Sequence, residues 1–170
     1  MNQADKEIVQ IVDQDNHVID AVPRVIMRQK RLIHRASYIL VFNSKNKLFI
    51  QKRTISKDVY PGYWDVAAGG VVLADESYEE SAARELYEEL GVSGLELQHR
   101  FDQYFEDRAN RVWGRVYTCN HNGPFTLQKE EIDHGRFISV DKIFRLCSDE
   151  PFTPDGLEIL KKLSPSIKNL

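Results

Sequence analysis

Between Glu76 and Leu90 six acids, Glu76, Glu79, Glu80, Glu85, Glu88 and Glu89, stand against a single base, Arg84. On a helix, Glu85, Glu88 and Glu89 share one arc about 100° wide, because residues three and four apart are surface neighbours. Like charges so placed destabilise an isolated helix by about 0.2–0.5 kcal/mol per pair, and a hard divalent cation would relieve them. Mg²⁺ takes oxygen ligands in octahedral geometry, keeps several waters and shares its shell between carboxylates and substrate phosphates. Gly69-Gly70, just upstream, lets the backbone come close to a ligand, so a carbonyl there can join the same shell. Arg84 lies four residues before Glu88 and can hold it in position across one turn. The chemistry suggested is phosphoryl chemistry; the plainer alternative is a solvated acidic helix face.

Such a cluster needs a helix to carry it and a sheet to hold the helix. Tyr78, Ala82, Leu86 and Leu90 recur every four residues within Ser77–Leu90, an apolar stripe that can bury against a sheet, and Gly91 supplies the stop. Upstream, Tyr60-Pro61-Gly62-Tyr63 reads as a turn and Trp64–Ala68 as a short buried strand running into the glycines. Glu7–Val12 and His17–Val22 read as a hairpin around Asp13-Gln14-Asp15-Asn16, with Pro23 ending the second strand. Arg24–Leu32 is either a short helix or an extended basic connection. Ala36–Phe42 and Leu48–Lys52 form a second hairpin, and Leu95–Tyr104, Val112–Cys119 and Phe137–Val140 are further strands. A short helix over Asp141–Leu146 and a last one over Pro154–Leu163, capped by Thr153, complete the pattern. Strands mixed with helices and no internal repeat give an α/β (α+β) domain around one mixed sheet.

The 170 residues suit one domain, and 42% hydrophobic with 29% charged residues is ordinary globular usage. A net charge of −3 gives no global attraction to nucleic acid or to an anionic membrane, so neither is expected as a partner and any phosphate recognition must be local. Cys119 and Cys147 lack metal-ligand spacing and read as reduced thiols. Apolar runs such as Tyr38–Phe42 are too short to cross a bilayer, no signal-like apolar core follows Met1–Gln10, and a cytoplasmic location is the default.

Gly70–Val92 reads GVVLADESYEESAARELYEELGV, which resembles the Nudix box, G-x₅-E-x₇-R-E-U-x-E-E-x-G-U with U aliphatic, at every fixed position: Gly70, Glu76, Arg84, Glu85, Leu86, Glu88, Glu89, Gly91 and Val92. The resemblance implies the Nudix fold, a mixed β-sheet sandwiched between helices, over residues 34–170. An N-terminal β-hairpin extension, residues 1–33, would pack on it. Glu85, Glu88 and Glu89 would be the metal ligands and the catalytic carboxylates, joined by the Gly69 carbonyl. Gly70, Glu76, Arg84 and Gly91 would brace the box. The cofactor implied is Mg²⁺, with Mn²⁺ as a substitute. The activity implied is hydrolysis of a small-molecule diphosphate, with nucleoside diphosphate derivatives ahead of prenyl diphosphates and nucleoside triphosphates.

His34-Arg35-Ala36, Gln51-Lys52-Arg53 and Pro61-Gly62-Tyr63-Trp64-Asp65 also resemble the isopentenyl-diphosphate-isomerase-like branch of the superfamily. The isomerase itself uses a cysteine before its box, where this chain has Asp65-Val66-Ala67-Ala68, so hydrolysis is favoured over isomerisation. A non-catalytic diphosphate-binding domain is the third option. A carboxylate must finish activating the water: a box glutamate, or Glu130 or Glu131 before the Phe137 strand. Arg53, Arg35 and Lys52 are the basic candidates for substrate contact. His34 reads as structural, and Trp64, Tyr63 and Phe105 as core. A homodimer is the oligomeric expectation.

Overall fold

The computed structural model describes residues 4–167. In chain order the elements are β1 (Ile8–Val12), β2 (Val18–Pro23), α1 (Arg24–Gln29), β3 (His34–Phe42), β4 (Leu48–Arg53), β5 (Trp64–Asp65) and α2 (Tyr78–Leu90). They continue with β6 (Gln98–Glu106), β7 (Arg111–Asn120), β8 (Ile132–Ile138), α3 (Val140–Leu146) and α4 (Pro154–Ile167). The expected mixed sheet between helices is present. β3 and β7 run parallel, from His34 opposite Val112 to Phe42 opposite Asn120, and the β1–β2, β4–β8 and β6–β7 pairs are antiparallel.

Alternation along the strands sends side chains to two faces. On one, Ile39, Val41, Phe49 and Tyr117 pack against Tyr78, Ala82, Leu86 and Leu90 of α2. On the other, Leu40, Leu48, Ile50 and Val116 pack against Ile143 of α3 and Ile159, Leu160 and Leu163 of α4. The N-terminal hairpin joins the same sheet through Ile11 opposite His34. Arg24–Leu32 settles as the short helix α1, which packs Met27 with Val9, Ile11 and Val71.

The feature that shapes the site is a divergence of strands. β3 and β4 share the single register pair Phe42–Leu48, and the chain from Ala68 to Val71 takes up the edge that β3 leaves open. Ala68 exchanges both backbone hydrogen bonds with Ile39, at 2.7 and 3.0 Å, and the Ser37 amide donates to the Gly70 carbonyl at 3.0 Å. The strand expected over Trp64–Ala68 is therefore only two residues long. The Trp64 amide bonds to Pro151 O, and the chain then leaves β4 to bridge β3.

Two other strands are displaced from their expected limits. β6 begins at Gln98, because Leu95 and Leu97 pack on the α2 side as irregular chain. β8 begins at Ile132 and ends at Ile138. Its polar residues Asp133, His134 and Arg136 and the intervening Gly135 hide the alternation, and Val140 starts α3. The last helix runs beyond Leu163 to Ile167, through Pro165.

Candidate active site

α2 is built to hold charges that repel one another. Ser77 caps it reciprocally with Glu80: Ser77 Oγ accepts from the Glu80 amide at 3.2 Å, and the Ser77 amide donates to Glu80 Oε2 at 2.8 Å. Gly91 closes the other end in the left-handed conformation, φ 69°. Each large apolar side chain buried on the stripe contributes about 1.5–3 kcal/mol. That outweighs the about 0.2–0.5 kcal/mol lost per like-charge pair on an exposed helix.

Glu89 points inward and is 2% exposed. Its Oε2 accepts from the Gly69 amide and from Gln51 Nε2, both at 3.0 Å. Glu85 is largely buried, whereas Glu88 sits at the rim with about half its side chain exposed. Arg84 ties the acids together: it donates to both Glu76 oxygens at 2.6 and 2.9 Å, to Glu85 Oε1 at 2.8 Å and to Glu88 Oε2 at 3.0 Å. Glu76 also accepts from the Leu73 amide, which fastens the loop to the helix.

Gly69 and Gly70 lie where a side chain cannot. Gly69 has φ +145°, and a Cβ there would lie 2.9 Å from the Ser37 carbonyl carbon. A Cβ at Gly70 would lie 2.6 Å from the Glu85 carboxyl carbon, so the loop passes directly over that carboxylate.

The electrostatics of these residues fit a divalent cation. Burial, opposed by Arg84, pushes the Glu85 carboxyl up to about 7. Burial, reinforced by the charge of Glu85, pushes Glu89 up to about 8. One guanidinium faces Glu76, Glu85 and Glu88, and Gln51 Oε1 is buried without a partner. A cation beside Glu85 and Glu89 would supply the missing positive charge, and water in its shell would supply donors.

The residues proposed for the substrate side separate. Glu131 lies close enough for its charge to act on both Glu85 and Glu89, and it pairs with Lys57. Burial alone would raise its carboxyl, but Lys57, with Arg24 and Arg53 nearby, more than offsets this and holds it below the usual range. Glu130 is exposed, and its backbone carbonyl accepts from Thr54 Oγ1. Arg53 lines a cavity of about 80 Å³ beside Gly69-Gly70, with its guanidinium on Asp65 at 3.1 Å and on Val59 O. Arg35 is not brought there. It donates to Asn16 and Gln10 of the N-terminal hairpin and lies over the Tyr78 ring. Lys52 pairs with Glu150.

Sequence patterning did not single out Lys57, Tyr38 or Asp155. Tyr38 and Asp155 also line the small cavity, where the tyrosine hydroxyl donates to Asp155 at 2.8 Å. Asp155 reads in the sequence as an ordinary first-turn acid, and nothing local marks Lys57. Gln51 carries a legible signal: it is polar on β4 at a position that alternation sends to the same side as buried Phe49. A larger groove of about 450 Å³ shares Arg24, Lys57 and Asp58 with the cavity and is flanked by Ser56, Glu130 and Glu131. His34 is buried, bonds Leu32 O through Nδ1 and is pushed down to about 3 by burial, so it stays neutral. Trp64 and Phe105 are buried as expected, whereas Tyr63 is only partly buried, beside Tyr60.

A second acidic group, Asp13, Asp15 and His17, is mostly exposed on the β1–β2 turn. Asp13 is occupied closing that turn, accepting from the Asp15 and His17 amides at 2.9 Å. No helix among the described residues is long and apolar enough to cross a membrane.

The family model for the NUDIX domain matches residues 32–163. The chain is 42% identical to an uncharacterised Nudix hydrolase of Pseudomonas aeruginosa, over 93% of this chain and 94% of the relative. It is 43% identical to the uncharacterised Nudix hydrolase YfcD of Escherichia coli, over 92% and 86%. A solved structure from Deinococcus radiodurans superposes with a TM-score of 0.79 at 24% identity, covering 92% of this chain and 98% of its own.

Proposed function

The chain belongs to the Nudix hydrolase family, and from that premise we propose that it hydrolyses the diphosphate linkage of a nucleoside diphosphate derivative with Mg²⁺. The observation that carries this is the position of the largely buried Glu85 and the buried Glu89 directly against Gly69-Gly70. Glu85, Glu88, Glu89 and the Gly69 carbonyl would hold the ion, with Mn²⁺ as a substitute. When bound, such an ion polarises phosphate oxygens and makes a coordinated water more acidic.

The chain's own residues do the rest. Arg84 fixes Glu85 and Glu88, the Gly69 amide and Gln51 fix Glu89, and Glu76 keeps loop and helix in register. Lys57 lines both cavity and groove, beside Glu131, where a substrate anion would compete for its ammonium group. Glu131, released from Lys57 in that exchange, would be the loop carboxylate to take a proton from water. The groove falls within the about 300–1,000 Å³ usual for small-molecule sites, so it suits the group attached to the diphosphate better than the 80 Å³ cavity does.

Neither cysteine lines the cavity or the groove, and burial pushes Cys119 up to about 12, which speaks against a thiol-dependent isomerisation. The test is release of phosphate or nucleotide from a panel of nucleoside diphosphate derivatives and prenyl diphosphates with Mg²⁺, beside a Glu88→Gln, Glu89→Gln variant. Turnover confined to the unaltered protein supports the proposal. A silent panel with Mg²⁺ still bound points to a diphosphate-binding domain.

A further inference from the structure

We propose that Gln51 is a positioning residue of the metal centre: its amide nitrogen holds Glu89 in the orientation that binds the ion, and its amide oxygen accepts from water in the ion's shell. This rests on the assignment of Glu85, Glu88 and Glu89 as metal ligands.

Three observations lead to Gln51. The first is its place on β4, where successive side chains alternate between the two packed faces. Leu48 and Ile50 go to the α3–α4 side, and Phe49 goes to the α2 side. Gln51 follows Phe49 toward α2, at 3% exposure, where a strand serving only the core would carry an apolar side chain. The second is its partners. Nε2 donates to Glu89 Oε2 at 3.0 Å and reaches Ala67 O at 3.3 Å. Both are acceptors when Glu89 is ionised, so the amide nitrogen must face them and Oε1 must face away. The third is that Oε1, so directed, is buried with no hydrogen-bond partner.

These observations have one economical explanation. Glu89 Oε2 already accepts from the Gly69 amide and from Gln51, so both donors fix the carboxylate plane and leave Oε1 of Glu89 for the ion. A buried amide oxygen without a donor is unfavourable, and natural interiors rarely leave one so unless a water or ligand completes it. With an ion bound, the carboxylates around it are ionised and offer no proton. A water in the shell of an ion beside Glu89 would supply that proton. Gln51 would thus orient one member of the shell while its other end orients a protein ligand.

The test is a Mn²⁺ titration followed by EPR on the full chain, comparing the unaltered protein, Gln51→Met, Ile50→Val and Glu85→Gln with Glu89→Gln. Methionine keeps the length and loses both ends of the amide. Loss of a partner that orients a ligand costs about 10–100-fold in metal affinity, and that rise in Kd is expected for Gln51→Met. Ile50→Val weakens the same strand from its other face and should leave Kd within twofold. The proton relaxation of bulk water by bound Mn²⁺ should also change in Gln51→Met at saturation, which a purely structural residue would not alter. An unchanged Kd and relaxivity in folded Gln51→Met would overturn the role of Gln51 alone. Unchanged Mn²⁺ binding in the double glutamate variant would overturn the ligand assignment, and this proposal with it.

Discussion

Gly70 and Glu85 meet so closely that a single methyl group would separate them: a Cβ on residue 70 would lie 2.6 Å from the Glu85 carboxyl carbon. Gly70→Ala should therefore displace the carboxylate, or the loop that covers it, without touching the apolar stripe of α2. The expected result is Mg²⁺ affinity and turnover reduced at least tenfold, with far-UV circular dichroism unchanged. Unaltered Mg²⁺ affinity, measured by isothermal titration, would show that the close approach has no part in holding the ion.

Glu85 and Glu89 should make the metal-free protein less stable as pH rises. Both carboxyls titrate higher in the fold than in the unfolded chain, near 7 and 8 against 4.5. The folded state therefore binds more protons across that window, and stability falls as pH climbs through it. In EDTA, a Glu85→Gln, Glu89→Gln variant should melt higher than the unaltered protein at pH 8 by at least about 2–4 °C, the shift given by about 1 kcal/mol in a domain this size. The advantage should shrink at pH 5. Its turnover should fall at least about 100-fold, since a metal's contribution to the transition state is several kcal/mol. Equal melting at both pH values would contradict the electrostatic account.

Asp155 offers a similar test away from the box. Burial, together with the nearby Asp65, raises it to about 6. Its folded value lies above the unfolded 3.8, so its contribution favours the fold at low pH and is lost as pH rises from 3.8 through about 6. Asparagine can still accept from the Tyr38 hydroxyl but does not ionise. The melting temperature of Asp155→Asn minus that of the unaltered protein should climb across this window and then level off. A difference that stays flat with pH would sink the assignment.

The thiols should be dispensable. Cys119 is buried in β7 and held protonated by its surroundings, while Cys147 is only partly buried at the end of α3. Iodoacetamide under native conditions is expected to label Cys147 far faster than Cys119. Turnover on whichever diphosphate the panel identifies should survive complete labelling of Cys147. Activity that disappears in step with labelling would revive a thiol mechanism.

The amino-acid sequence alone determined the helix and its charges. The four-residue recurrence of Tyr78, Ala82, Leu86 and Leu90 sets which face is buried, and the same period puts Glu85, Glu88 and Glu89 on one arc. Ser77 and Gly91 fix where the helix starts and stops. These are local relationships, carried by residues three to four positions apart. Strand limits were less legible where polar residues interrupt the pattern, as at Asp133, His134 and Arg136 in β8, or where apolar residues pack outside a strand, as at Leu95 and Leu97.

What only the tertiary structure decided is which distant residues share the carboxylates' surroundings. Arg35 and Arg53 look alike as basic residues on strands. The β1–β2 hairpin takes Arg35, while the divergence of β3 from β4 leaves Arg53 on the cavity wall. Glu130 and Glu131 are adjacent in sequence, yet the chain's approach to β8 exposes one and sets the other against Lys57. Gln51 reaches Glu89 across 38 positions because α2 covers the face of the sheet to which β4 sends Phe49 and Gln51. Local periodicity can orient a side chain relative to its own element, but a contact between elements depends on how the sheet is ordered and where its strands part.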